Sequence, residues 1–175
     1  METGRILMGT APFLDPTDGA YFGYGHNACL VGNDKDGWKY YSKDGPFKGD
    51  VSLPFSTLNN FYESDRGKVI QDRYDGGYRI ATTREQDAAM KAYGDENYDK
   101  DYSLTEAVRF KRSGYDPDDE YSDLVFESQN CADLTADIAR AGNINMGKPK
   151  IWFITHPNAQ YRDTVGRIKG TPIAI

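Results

Sequence analysis

The sequence predicts an α+β domain with a mostly antiparallel sheet and helices packed on one side of it. Thirteen tyrosines and 18 glycines among 175 residues are typical of strands and turns rather than of a helical bundle. A dense turn motif, NDKDG, separates two strand-like segments early in the chain. Two later segments carry the caps of amphipathic helices. The length is that of a single domain covering residues 1–175.

The first predicted element is a β-hairpin. Gly25–Gly32 (GHNACLVG) has the pattern of a strand, Asn33–Gly37 is rich in turn residues, and Trp38–Ser42 (WKYYS) returns. Alternation along the first strand places His26 and Cys29 on opposite faces, so we expect Cys29 in the core.

Local signals define the remaining elements. Thr83 is the expected N-cap of its helix, Gln86 its capping-box partner and Gly94 its stop. In chain order, the predicted elements are a short helix at Leu53–Tyr62 with Pro54 in its first turn, a strand at Gly77–Ala81, a helix at Thr83–Tyr93, a helix at Cys131–Ala141, a buried strand at Ile151–Thr155 and a weak helix at Asn158–Ile168.

The segment Cys131–Ala141 has the clearest helix signals. Asn130 is a good N-cap, Asp133 lies in the first turn where the helix dipole favours a negative charge, and Gly142 ends the pattern. One stripe of small or apolar side chains predicts the inward face: Cys131, Leu134, Thr135 and Ile138.

The charge balance excludes some partners. A formal net charge of −6 argues against nucleic acid or an anionic bilayer, both of which are normally met by a basic surface. No run of 18 apolar residues is present, so we expect no integral membrane segment. Met1–Thr10 lacks the basic and apolar regions of a Sec signal peptide.

The acidic run at residues 116–120 is a possible metal site. It contains Asp116, Asp118, Asp119 and Glu120. The run lacks the central Gly and closing Glu of an EF-hand, so we interpret it as a solvated loop. We expect no metal and no cofactor.

Cys131 is the candidate nucleophile. At a helix N-terminus, unpaired N–H groups and the dipole favour a thiolate, and the same N–H groups can stabilise an oxyanion. The alternative is that Cys131 is a small core residue on the apolar stripe of its helix.

His26 is the candidate base, because an imidazole near a thiolate can form the ion pair that activates cysteine hydrolases. A third group should orient its ring. If paired residue numbers in the hairpin add up to 68–70, the residue opposite His26 is Ser42, Lys43 or Asp44, of which Asp44 or Ser42 could face the ring.

His156 is the competing base. Only 25 residues separate it from Cys131, which is tight for a helix, a loop and a strand that must bring the ring back to the sulfur. We expect His156, with Asn130 and Asn158, to contribute to substrate binding instead.

These stretches resemble a known family. GHNACLVG, followed by WKYYSKDG and then by NCADL about 100 residues after His26, is similar to the circularly permuted branch of the NlpC-type papain-like hydrolases, which includes lecithin:retinol acyltransferase-like proteins. The resemblance implies a papain-like fold in which the histidine strand precedes the cysteine helix. Relatives often carry a second polar residue on the next strand; here that stretch is Tyr40–Asp44, which leaves Asp44 and Ser42 both open.

The same residues are similar to C-terminal domains of RHS-type and other polymorphic toxins of Bacteroidota. That resemblance implies an interbacterial toxin that cleaves peptidoglycan peptides, is neutralised by an immunity protein, and reaches the target-cell periplasm by type VI or similar delivery. Two alternatives stay open. One is a lipid acyl hydrolase or acyltransferase with the same dyad, and the other is a non-catalytic module that binds a sugar or peptide.

Overall fold

The computed structural model describes residues 4–11, 26–43, 50–74, 76–99, 108–110, 124–126, 130–148, 150–151, 154–155 and 157–173. Within them the helices are α1 (Leu58–Glu63), α2 (Asp65–Gln71), α3 (Arg84–Asn97), α4 (Cys131–Ala141) and α5 (Pro157–Arg167). The strands are β1 (Gly4–Ala11), β2 (His26–Asn33), β3 (Gly37–Lys43), β4 (Asp50–Phe55), β5 (Gly76–Thr82), β6 (Val108–Phe110), β7 (Leu124–Phe126), β8 (Lys150–Ile151), β9 (Ile154–Thr155) and β10 (Thr171–Ile173).

A six-stranded antiparallel sheet organises the described chain. Its strand order is β10-β5-β1-β2-β3-β4, and two further pairs, β6-β7 and β8-β9, lie apart from it. The predicted hairpin is confirmed as β2 and β3, whose paired residue numbers add up to 70. The α+β class with an antiparallel sheet is therefore confirmed.

Two hydrophobic clusters cover the two faces of this sheet. On the first, which we call the α4 face, Cys29 and Val31 pack with Leu134 and Ile138 of α4 and with Met90 of α3. On the second, which we call the α1 face, Ala28, Leu30, Trp38 and Tyr40 pack with Phe61 of α1, Ile70 of α2 and Tyr74. Helices therefore lie on both sides of the sheet, whereas the sequence predicted them on one side.

Pro54 lies in a strand, so the prediction of a helix at Leu53–Tyr62 was wrong at its start. β4 carries Pro54 opposite Lys39, and α1 begins only at Leu58. A proline is tolerated here because β4 is an edge strand, where a missing N–H costs no ladder hydrogen bond. The cap of α1 is Thr57, whose side chain accepts a hydrogen bond from the Asn60 N–H.

The start of α3 is confirmed and its predicted end is wrong. Thr83 and Gln86 form the expected capping box. The helix continues past Gly94 to Asn97. Gly94 does not end the helix; it allows the helix to pack closely against β3. A Cβ at Gly94 would lie 2.5 Å from the ring of Tyr41, so only glycine lets α3 approach β3 this closely.

The C-terminal elements agree with the predictions in part. α4 spans the predicted residues, and α5 begins one residue before and ends one residue before the predicted helix. The predicted strand Ile151–Thr155 is instead two short antiparallel strands, β8 and β9, because Ile151 pairs back onto Ile154. β1 and β10 were not predicted. None of the described helices has the length and apolar character needed to cross a membrane.

Candidate active site

Cys131 is the first residue of α4, at a helix start that is held by a capping box. The Asn130 side chain accepts a hydrogen bond from the Asp133 N–H at 2.9 Å, and the Asn130 N–H donates to the Asp133 carboxylate at 3.2 Å. These two bonds form a capping box, which the sequence analysis predicted only as a cap and a dipole contact. The cap holds the N-terminal turn, and with it Cys131, in helical geometry. Asn130, predicted to bind substrate, is itself 3% exposed.

The two cysteines differ in their surroundings. Cys29 is 1% exposed among apolar side chains, and this burial raises the pKa of its thiol, which suits the core role predicted for it. Cys131 is 5% exposed and belongs to neither hydrophobic cluster. Thr135, one helical turn further on, donates to the Cys131 carbonyl at 2.9 Å, and Asn130 and Asp133 lie in the same turn as Cys131.

His26 begins β2 and points to the α1 face. Its Nε2 lies 2.9 Å from the hydroxyl of Ser42 in a hydrogen bond whose direction depends on the tautomer. Its ring stacks on Tyr74 with centroids 6.0 Å apart and an interplanar angle of 29°. The Tyr74 hydroxyl in turn lies 2.6 Å from that of Tyr40. The structure thus brings together two of the predicted residues, His26 and Ser42.

His26 and α4, the helix that carries Cys131, lie on different faces of the sheet. Alternation along β2 gives His26 the same orientation as Ala28, on the α1 face. α4 packs against the other face through its contacts with Cys29. The imidazole and the helix that carries the thiol therefore lie on opposite sides of one strand.

Asn27, the residue after His26, faces α4 and α5. Its Nδ2 donates to the Pro157 carbonyl and to the Gln160 Oε1, both at 2.9 Å. Gln160 extends this chain of hydrogen bonds to α4, because its Nε2 donates to the Ala132 carbonyl at 2.9 Å. A chain of side-chain amides thus joins β2 to the residue that follows Cys131.

The same contacts bear on the spacing of His156. The 25 residues after Cys131 were expected to be too few for a return to the sulfur. By Gln160, however, the chain has already returned to the first turn of α4. The spacing therefore gives no reason to exclude His156 as a base. His156 itself lies outside the described residues.

Asp44 and Asn158 are two more of the predicted site residues. Asp44 lies outside the described residues. Asn158 lies in α5, and its side chain is likewise outside the description. The acidic run at residues 116–120 also falls outside it. Among the described side chains, no group of three or more His, Cys, Asp or Glu residues could hold a metal ion.

The sequence analysis missed Asn27 and Gln160. A signal for Asn27 was available, because it is a polar residue at the same alternation as Cys29 and Val31 in a strand expected to be buried. It is 0% exposed, as is Gln160. Comparison of the chain with protein-family models, curated proteins and solved structures finds no match. What can be inferred about its chemistry therefore comes from its own residues.

Proposed function

We propose that this chain is a cysteine amidase or peptidase with Cys131 as its nucleophile. The single observation that carries the proposal is the position of the thiol at the first residue of α4, where the Asn130–Asp133 capping box holds the start of the helix. Oriented N–H groups and the positive end of a helix dipole favour a thiolate there. We also propose the papain-like, circularly permuted arrangement, which rests on the resemblance of GHNACLVG and NCADL to that family.

The proposed reaction is an acyl transfer to sulfur followed by hydrolysis. The Cys131 thiolate attacks a carbonyl carbon, and the oxyanion that forms accepts a hydrogen bond from the Cys131 N–H. The neighbouring N–H groups of Asp133 and Leu134 are directed to Asn130 instead. The protonated base gives its proton to the leaving amine, and water then releases the acyl group.

The base in this proposal is a histidine, and the chain has two. His26 is the one that the resemblance implies, with Ser42 or Asp44 to orient it. His26 can act on Cys131 only if its ring leaves Ser42 and Tyr74 and moves round the start of β2 to the α4 face. His156, which directly precedes α5 in the sequence, is the alternative base and needs no passage of His26 round the sheet.

The proposed substrate is a peptide of peptidoglycan, which makes the protein an interbacterial toxin with a cognate immunity protein. Type VI or similar delivery would bring it to the periplasm of a target cell. This part of the proposal rests on the similarity of the hairpin and helix motifs to polymorphic toxin domains.

A comparison of the two cysteines tests the enzyme proposal. Purified sacculi are incubated with the wild type, Cys131→Ala and the matched control Cys29→Ala, and released peptides are identified by mass spectrometry. Loss of a nucleophile costs about a thousandfold or more in rate, so Cys131→Ala should release almost nothing while Cys29→Ala remains active. Full activity of a folded Cys131→Ala protein would refute the assignment. Parallel incubation with phospholipid vesicles tests the acyl hydrolase alternative.

A non-catalytic binding module is the second candidate, and the low exposure of Cys131 favours it, since 5% is also typical of a core residue. Alkylation by iodoacetamide separates the two candidates. In a cysteine hydrolase Cys131 reacts in the folded protein, well before Cys29. If both cysteines react only after denaturation, the binding module is the better description.

A further inference from the structure

We propose that Asn27 and Gln160 form a positioning pair that holds the first turn of α4, and hence Cys131, in register with the central strand β2. The proposal rests on the function proposed above and adds two residues to its site. Neither residue contacts the reacting atoms; both act through the backbone of α4.

The side chain of Gln160 donates hydrogen bonds to two backbone carbonyls near α4. Its Nε2 donates to the Ala132 carbonyl at 2.9 Å and to the Gly147 carbonyl at 3.0 Å. Ala132 directly follows the proposed nucleophile, and Gly147 lies in the segment that leaves α4. One side-chain amide therefore joins the first turn of α4 and the segment that follows the helix to α5.

Asn27 anchors the pair to the sheet. It lies in β2, which is hydrogen-bonded to β1 on one side and to β3 on the other. Its Nδ2 holds the Gln160 side-chain oxygen and also the Pro157 carbonyl at the start of α5. Because the Gln160 oxygen is held in this way, its Nε2 is directed at α4.

The burial of the pair indicates a role beyond stability. Both side chains are 0% exposed, and within the described part of the chain the Asn27 Oδ1 has no hydrogen-bond partner. A buried acceptor without a partner carries a desolvation cost that an apolar side chain of similar volume would avoid. What an apolar side chain cannot do is hold Gln160 and, through it, the turn that carries Cys131.

The consequence for the chemistry is geometric. Nucleophilic attack needs reacting atoms within about 3–3.5 Å of each other, and a misplacement of about 1 Å can cost about a hundredfold in rate. If the pair is lost, α4 keeps its capping box and its apolar packing against β2, but its first turn loses the hydrogen-bonded link to that strand. The thiol and the N–H groups around it then sample other positions.

The test uses Gln160→Met, which keeps the length and volume of the side chain and removes both donors. The matched control is Thr164→Val on the same helix. Thr164 is also 0% exposed and donates to the Met146 carbonyl at 3.3 Å, but has no link to the first turn of α4. Gln160→Met removes three hydrogen bonds and Thr164→Val removes one, so we expect the larger loss of thermal stability in Gln160→Met, and kcat is measured well below both unfolding temperatures. Only Gln160→Met should lower kcat on sacculi, by about tenfold to a hundredfold, with KM little changed.

Alkylation of the folded protein by iodoacetamide gives a second measurement that does not depend on the substrate. In a positioning role, Gln160→Met slows the reaction of Cys131 about fivefold, because the thiolate loses oriented N–H groups, while Cys29 stays protected. In a purely structural role, easier opening of the protein speeds the reaction of both cysteines together.

The outcomes separate the two proposals. If Cys131→Ala remains active, the proposed function is wrong, but the alkylation rates still decide whether the pair positions the thiol. If Gln160→Met behaves as Thr164→Val does in both kcat and alkylation, the positioning role is wrong and the nucleophile assignment stands.

Discussion

The two faces of the six-stranded sheet carry different chemistry, although the same strand supplies both. On the α1 face, His26 meets Ser42 and the ring of Tyr74 in an aromatic and hydroxyl environment. On the α4 face, Asn27 meets Gln160 in a network of amides and carbonyls that ends at the Ala132 carbonyl, one residue after Cys131. Neighbouring residues of β2 thus face opposite sides of the sheet. For His26 to act on Cys131, its ring would have to move from the α1 face to the α4 face.

The largest expected effect is the loss of the catalytic base. The variant that shows this loss identifies the face of the sheet that supplies the base. A general base contributes about a hundredfold to ten-thousandfold to a rate. If the His26 ring leaves Ser42 and Tyr74 for the α4 face, as its role as base requires, His26→Ala lowers the cleavage of sacculi by that factor and His156→Ala lowers it much less. An inactive His156→Ala protein beside an active His26→Ala protein would assign the base to His156 and leave His26 with a structural role.

Removal of one core side chain from each face compares the stability of the two faces. Leu134 on the α4 face is 1% exposed and Phe61 on the α1 face is 4% exposed. We expect Leu134→Ala to lower the free energy of unfolding by about 2–5 kcal/mol and Phe61→Ala by about 3–5 kcal/mol. Urea titration measures both. A change of less than about 1 kcal/mol in either variant would show that its cluster is not a packed core.

Asn130 tests how far the cap of α4 matters. We expect Asn130→Ala to lower the free energy of unfolding by about 1 kcal/mol, because the Asp133 N–H loses its acceptor. Asn130→Ser, which retains a capping oxygen, should lose much less. Thermal unfolding monitored by circular dichroism measures the difference. Equal losses in the two variants would argue against a capping role.

The smallest expected effect concerns the hairpin turn that joins β2 and β3. The hydrogen bond from the Arg84 guanidinium holds the pKa of the Asp36 carboxyl below its usual range. Because the pKa of Asp36 is lower in the folded protein, the bond stabilises the fold above the ordinary pKa of Asp, about 3.9, and is lost as the pH falls through the lowered value. Arg84→Gln should therefore lower thermal stability slightly at pH 7 and not at all in strong acid. An equal loss at both pH values would contradict an ionic role for this pair.

Local chemistry made much of the fold predictable. The NDKDG turn and the strand alternation predicted the β2–β3 hairpin, and residue-type rules predicted the caps Thr83 and Asn130. These signals act within a few residues, so a single sequence carries them. Pro54 shows their limit, because proline suits both a first helical turn and an edge strand, and the pairing with β3 decided between them.

The candidate site was less predictable because it depends on distant contacts. Alternation separated His26 from Cys29, but the side on which α4 packs is decided by Leu134 and Ile138, more than 100 residues later. Asn27 and Gln160 are 133 positions apart. No local pattern in the sequence links such residues, so the amide pair emerged only with the structure.

Pro54 also has a consequence for how this protein behaves among other chains. The outermost strands of the sheet are β4 and β10, and each contains an exposed proline, Pro54 in one and Pro172 in the other. A proline offers no N–H to an incoming strand, so neither border of the sheet presents an unbroken row of donors and acceptors. Within the described residues, both borders are therefore poor templates for strand-by-strand aggregation.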